Sequence, residues 1–327
     1  MRRREFLGAL GGTAVAWPLA ARAQQPSTPV IGFLNAAPAQ GYKRQVAAFQ
    51  KGLAEAGYVA GRNVTIEYRW GDGHSDRMPA LAAELVRLRP AVIAATGTAA
   101  ALAAKAATST IPIVFETGFD PVRSGLVTSL NRPGGNVTGA TQTNIDVTSK
   151  RLELLHEVLP NAKLIGVLVN PTDPVIAEAT VTETQAAART FGVELHVLNA
   201  GSSADFNGAF ESLAQRRIGG LVIAGGALFV AHSEQLAAMA ARYAVAAAFQ
   251  GREFAAAGGL MAYGSDFADA YRLTGIYVGR VLKGDKPGDL PVQQATKIEL
   301  FINLKTAKAL GITVALPLLG RADDVIE

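Results

Sequence analysis

Residues 91–121 read AVIAATGTAAALAAKAATSTIPIVFETGFDP, and their order decides the fold. An apolar run, Ala91 to Ala95, meets a polar turn, Thr96-Gly97-Thr98; an Ala-rich run suited to a helix starts near Ala99, and Ile113 to Glu116 is a second short apolar run. That is one βαβ unit, and strands that read as apolar throughout belong to a parallel sheet covered on both faces. The rhythm continues in both directions. Further strands are predicted at Val30 to Leu34, Val64 to Tyr68, Val137 to Gly139, Leu164 to Val169, Val193 to Leu198, Leu221 to Ala224, Val245 to Phe249 and Gly259 to Tyr263. Amphipathic runs fill the gaps, such as Gln45 to Ala56, where Val46, Phe49, Gln50 and Leu53 repeat at helical spacing. The class is α/β, doubly wound.

Such a strand count exceeds the usual single sheet, and 327 residues suit two domains at about 150 residues each. Asn131-Arg132-Pro133-Gly134-Gly135-Asn136 is a dense turn cluster, after which the rhythm restarts at Ser149. Lys283 to Asp289 and Leu290-Pro291 form another loop late in the chain. Two similar α/β lobes with several connecting segments follow.

Ahead of this lies an address. Arg2, Arg3 and Arg4 form a positive region, Phe6 to Ala20 carry no charge, and Ala21-Arg22-Ala23 places small residues where a signal peptidase needs them. The uncharged run would span only ~22 Å as a helix, short of the ~30 Å hydrocarbon core. Export with cleavage near Ala23 is therefore expected, without stable membrane insertion, and Arg3-Arg4-Glu5-Phe6-Leu7 resembles a twin-arginine signal. Removing residues 1–23 takes 31 basic and 27 acidic residues to 27 and 26, so a precursor at +4 becomes a mature chain at +1. The basic balance belonged to the address, and nucleic acid is not an expected partner.

Several chemistries are closed. With no Cys there are no disulfides, thiolate metal sites, thiol nucleophiles or lipid-modified N-terminal Cys. The four His, at 74, 156, 196 and 232, are scattered, and Asp72, His74 and Asp76 read as a solvated turn, so no metal is expected. Gly32-Phe33-Leu34-Asn35-Ala36 and Gly71-Asp72-Gly73 fail the dinucleotide fingerprint, Ala140-Thr141 replaces the Lys-Ser/Thr of a phosphate loop after Gly134 and Gly139, and no G-x-S-x-G elbow occurs. No cofactor is expected.

Polar turns at strand C-terminal ends carry a stronger signal, since open α/β sheets bind ligands there. Thr96-Gly97-Thr98 places hydroxyls beside a helix N-terminus, suited either to a ligand carboxylate or simply to capping. Asn170-Pro171-Thr172-Asp173-Pro174 repeats the situation in the second half with the same two readings. Glu116-Thr117-Gly118-Phe119-Asp120-Pro121 ends another strand, where Asp120 could merely cap a helix; Gln142-Thr143-Asn144 and Tyr263-Gly264-Ser265-Asp266 sit near the first two lobe crossings. Phe33, Tyr42, Phe119, Phe229, Phe249 and Tyr263 also gather near strand ends, with core packing the default for each.

Taken together, Ala48 to Val64, Ile111 to Gly139, Lys150 to Pro174, Arg252 to Val281 and Ile302 to Ile312 resemble the type I periplasmic solute-binding proteins of ABC transporters, in the subgroup related to tryptophan/tyrosine-binding proteins. The likeness covers residues 29–327. It implies two flavodoxin-like lobes joined by three hinge segments, with 29–140 plus about 266–292 in the first lobe and 141–265 plus about 293–327 in the second. It further implies a ligand held between the lobes and a membrane permease that recognises the closed form. The family's binding loops fall on Asn35, Ala36, Ala37 and Pro38; Thr96, Gly97 and Thr98; Glu116, Thr117 and Asp120; Gln142, Thr143 and Asn144; Asn170, Thr172 and Asp173; Gly226 and Leu228; Phe249 and Gln250; and Tyr263 and Asp266. Three places depart from the pattern: Val175 where Asn is frequent, Glu116 where a small residue is usual, and Gly225-Gly226 where a polar residue is common. The ligand's identity is therefore not carried over with the fold.

The function these expectations converge on is a periplasmic, monomeric receptor, not an enzyme, that captures an amino acid or an aromatic or small carboxylate for an ABC permease. Thr96 to Thr98 would hold the carboxylate, Asn170 and Asp173 would contact from the other lobe, and Phe249 or Tyr263 would pack on the apolar part. Two alternatives remain at this level: a receptor for a membrane sensor, and a secreted enzyme using Glu116 and Asp120 as an acidic pair.

Overall fold

The computed structural model describes residues 28–142, 147–295 and 297–327. The export segment 1–23 and the candidate ligand residues Thr143 and Asn144 lie outside them. The chain begins with β1 (Val30–Asn35), α1 (Lys43–Glu55), β2 (Thr65–Trp70), α2 (Met78–Arg87), β3 (Val92–Thr96), α3 (Thr98–Ala107), β4 (Ile113–Thr117) and β5 (Val137–Gln142). All pair in parallel, in the order β5-β4-β3-β1-β2. β3 and β4 are buried along their whole length, while β2, at the sheet edge, is only half-buried. Continuous apolarity thus marks the strands with neighbours on both sides.

After β5 the chain crosses to a second sheet. There α4 (Thr148–Val158), β6 (Leu164–Val169), α5 (Pro174–Phe191), β7 (Glu194–Asn199), α6 (Phe206–Gln215), β8 (Gly220–Ile223), α7 (Ala227–Ala231), α8 (Ser233–Arg242), β9 (Ala246–Phe249), α9 (Arg252–Ala256) and β10 (Met261–Ser265) repeat the pattern. The order β10-β9-β8-β6-β7 matches that of the first sheet, so both lobes are flavodoxin-like. Pro174 opens α5, and Gly192, at φ 65°, closes it in the left-handed conformation that glycine adopts without strain.

Two further crossings follow. α10 (Phe267–Leu282) returns to the first lobe and packs along α1. A Cβ on Gly52 would lie 1.9 Å from the Arg272 carbonyl oxygen, and one on Gly275 2.1 Å from that of Phe49, so the two helices meet backbone to backbone. β11 (Gln293–Ala295) adds a parallel edge strand beside β5, and β12 (Ile298–Asn303), α11 (Leu304–Ala309), α12 (Leu316–Leu319) and β13 (Asp324–Ile326) complete the second lobe. The first sheet therefore keeps Thr141, Gln142 and Gln293–Ala295, which the sequence reading assigned to the second lobe.

One joint departs from the parallel rule: β12 runs antiparallel to β10. It enters from the first lobe rather than through a helical crossover within the second, so nothing imposes parallel direction on it. None of β11, β12 and β13 was among the predicted strands. Among the described residues, no helix is long and apolar enough to cross a membrane.

Candidate functional site

In each lobe the strand order reverses direction between the first and third strands, and ligands of open α/β sheets bind at such switch points. The two switch points meet. Gly97, after β3, and Gly226, after β8, sit at φ 91° and 119° with ψ 148° and 159°, a backbone that side-chain-bearing residues rarely adopt. Both line one cavity of about 40 Å³, room for only a few waters. Tyr42, Thr98, Glu116, Phe267 and Tyr271 wall it from the first lobe, and Asp173, Ile176 and Gln250 from the second.

The lobes are in contact around it. Phe119 of the first lobe is buried with Ile176 and Ala179 of α5. α7 is two-faced: Leu228 and Phe229 enter the second-lobe core, while Ala227, Val230 and Ala231 pack against first-lobe clusters. A Cβ on Gly41 would lie 2.6 Å from the Cα of Ala231, so here too backbones touch across the gap. Ion pairs join Arg44 to Glu253, and Arg123 to Glu183 at 3.7 Å.

Only part of the predicted residue set reaches the cavity: Ala36, Gly97, Thr98, Glu116, Asp173, Gly226 and Gln250. Others support it. Asn35 Nδ2 donates to Thr96 Oγ1 at 2.8 Å and to the Tyr271 hydroxyl at 3.0 Å, and Thr96 in turn donates to the Leu34 carbonyl at 3.3 Å. Thr96 thus spends its hydroxyl on the sheet. The Thr98 and Thr117 hydroxyls bond each other at 2.6 Å, and Gln142 Nε2 donates to Glu116 Oε1 at 2.6 Å.

The remainder lies elsewhere. Asp120 Oδ1 accepts from the Val122 backbone N–H at 2.8 Å, and Asn170 Oδ1 from that of Thr172 at 3.0 Å, so both fold their own turns. Ala37, Leu228 and Phe249 belong to hydrophobic cores, although Phe249 with Pro38 also borders a wider groove of about 590 Å³ beside the cavity. The Tyr263 carbonyl accepts from Arg151 Nε at 2.7 Å, and Asp266 caps α10 at Ala268 N. Glu116 and Asp120, the acidic pair of the enzyme alternative, do not share the cavity.

Sequence reasoning left Phe267, Tyr271 and Ile176 out of the site. Phe267 and Tyr271 stand at i and i+4 on the helix directly after the second crossing, a spacing that sets both on one face and was the available signal. Tyr42 was noted only as an aromatic near a strand end.

Two buried carboxylates dominate the electrostatics. Burial pushes Glu116 up from 4.5 to about 7, against the opposing hydrogen bonds from Gln142 and the Gly97 N–H. Burial likewise raises Asp173 from 3.8 to about 6, the Ile176 N–H opposing. Tyr42 and Tyr271 are driven up by burial, with Glu116 adding to both, so their hydroxyls stay neutral.

The model of the family described as ABC transporter substrate binding protein matches residues 14–326. A tyrosine-binding protein of Clostridioides difficile (strain R20291) is 31% identical over 265 residues, covering 81% of this chain and 75% of its own. The structure of an ABC domain in complex with L-Trp from Streptococcus pneumonia superposes with TM-score 0.80 at 25% identity, over 92% of this chain and 100% of that one. The ligand-free, open structure of a substrate binding protein with adhesive properties from Clostridium difficile reaches TM-score 0.59 at 25% identity, over 91% of this chain and 99% of that one. At equal identity and similar coverage, this chain superposes better on the complex than on the open form.

Proposed function

Since the chain belongs to the ABC transporter substrate binding protein family, we propose that it is the exported receptor of an importer, which captures a small organic ligand between its lobes and presents it to a membrane permease. One observation carries the reading: the switch points of both sheets open into a single cavity that neither lobe could form alone. The curated relative binds tyrosine by its description and the Streptococcus structure holds L-Trp, so an amino-acid-sized ligand is the starting class.

The geometry supports a capture cycle. Three crossings, after β5, β10 and β11, are the only chain segments linking the sheets among the described residues, and rotation about them separates the walls. A ligand that touches Glu116 or Thr98 on one side and Asp173 or Gln250 on the other binds the closed form better than the open one and shifts the population toward it. The closed outline is then what a permease reads. Export to the periplasm with cleavage near Ala23, and action as a monomer, belong to the same proposal.

The test uses the chain from Gln24 onward. A bound ligand raises the melting temperature with concentration and lowers the radius of gyration in small-angle scattering. If a chemically broad library and a small-molecule cell extract moved neither quantity, the receptor reading would fail.

A further inference from the structure

The cavity beside Gly97 at the N-terminus of α3, the position suited to a ligand carboxylate, already contains a carboxylate of the protein. Glu116 is 2% exposed, its carboxylate is held by Gln142 Nε2 at 2.6 Å, and its backbone carbonyl accepts from the Gly97 N–H at 2.8 Å. Thr96 and Thr98 bond to protein partners as well. An anion from outside would meet a carboxylate where the sequence suggested a receptor for one.

Across the cavity stands a second carboxylate, Asp173, 9% exposed. No Lys, Arg or His lines the cavity among the described residues, and neither acid belongs to an ion pair there. Two buried acids without a cation are costly, and the missing partner is a positive charge. Gln250 adds an independent observation, because its Nε2 is buried, lines the cavity and has no hydrogen-bond partner. It supplies a neutral donor for an acceptor atom on the same ligand.

We propose that the ligand is a small organic cation, an amine without a carboxylate, whose ammonium sits between Glu116 and Asp173 as the lobes close. This rests on the receptor reading and narrows it. A zwitterion would bring a third carboxylate into a site that already holds two, whereas an amine neutralises them. The titratable groups facing Glu116 are Tyr42 before α1, Tyr271 on α10 and Asp173 across the cavity; both tyrosines stay neutral, so only the two acids titrate. Both need to be ionised to hold the ammonium, and cation affinity rises from pH 5 to pH 8.

Calorimetry with size-matched triplets tests charge apart from shape: tyramine, L-tyrosine and 4-hydroxyphenylacetate; tryptamine, L-tryptophan and indole-3-acetate; cadaverine, 6-aminohexanoate and adipate. The expected result is that one amine binds at least about ten-fold more tightly than its zwitterion at pH 7.5, and that Glu116→Gln and Asp173→Asn each weaken it by about ten-fold or more. Equal or tighter binding of a zwitterion or an acid overturns the cation class and leaves the receptor reading standing. Silence from all nine compounds also overturns the cation class. The receptor reading falls with it only if the cell extract described above is silent too.

Discussion

Gln142 Nε2 donates to Glu116 Oε1 at 2.6 Å, so the last residue of β5 holds the only carboxylate that β4 sends into the cavity. The first lobe crossing begins directly after Gln142. The environment of the buried acid is therefore set by the residue at which β5 ends.

That acid makes the ligand-free protein pH-sensitive. Below pH 4.5 Glu116 is protonated whether the chain is folded or not; from there to about pH 7 the unfolded chain loses the proton and the folded chain keeps it. Folded stability is greatest at the acid end of this window and falls across it, by about 3 kcal/mol at most for Glu116. Asp173 adds a loss of the same sign between 3.8 and about 6. Urea unfolding at pH 4.5, 6 and 7.5 should show Glu116→Gln gaining on the parent as pH rises. A constant difference would mean that Glu116 titrates alike in the folded and unfolded chain, so that burial does not raise its pKa.

The contact between α1 and α10 makes a second prediction. Ala in place of Gly275 gains about 1 kcal/mol of helix propensity, yet its Cβ would collide with the Phe49 carbonyl oxygen at 2.1 Å. Overpacking costs about 1–3 kcal/mol, so the clash wins and the variant unfolds at lower urea. Because Tyr271 stands one turn earlier on the same helix, binding should weaken as well. An unchanged midpoint would show that the helices can part freely.

If the lobes open and close as proposed, the ion pairs across them should act on that balance more than on folding. Arg44 and Glu253 are 57% and 44% exposed, so the pair contributes about 0–1 kcal/mol and is screened by salt. Charge reversal at both acids, Glu253→Lys with Glu183→Lys, replaces two attractions by repulsions. The ligand-free radius of gyration should rise, and added salt should reverse the rise. A radius indifferent to both changes would remove these pairs from any part in closure.

The α/β class was legible because each buried strand had to be apolar on both faces, as in Val92–Thr96 and Ile113–Thr117. β11 was not, since three residues, Gln-Gln-Ala, at an exposed edge carry no hydrophobic pattern. The cavity was half legible. Turns at strand ends found Gly97, Thr98, Glu116 and Asp173, because topology alone sends those ends to the cleft. Which hydroxyl stays free cannot be read along the chain: Thr96 is committed by Asn35, 61 residues away, and Tyr271 arrives from 236 residues beyond Asn35.

Gly41 offers a way to separate closure from folding. Its neighbour across the gap is Ala231 on α7, with Cα and carbonyl oxygen both 2.6 Å from where a Cβ would stand. The contact joins the lobes, Ala231 packing on a first-lobe cluster of which Gly41 is not a member, and Gly41 does not line the small cavity. Gly41→Val should therefore leave the urea midpoint of the ligand-free chain within about 0.5 kcal/mol of the parent, as for other substitutions outside a core. Closure, by contrast, has to stop short, because backbone cannot yield as a flexible side chain would. Scattering should report a larger radius of gyration that no ligand reduces, and ligand affinity should fall by about ten-fold or more, since only one wall of the site is then in reach. Normal affinity together with a normal ligand-induced contraction would show that the backbones of Gly41 and Ala231 need not touch when the ligand is bound.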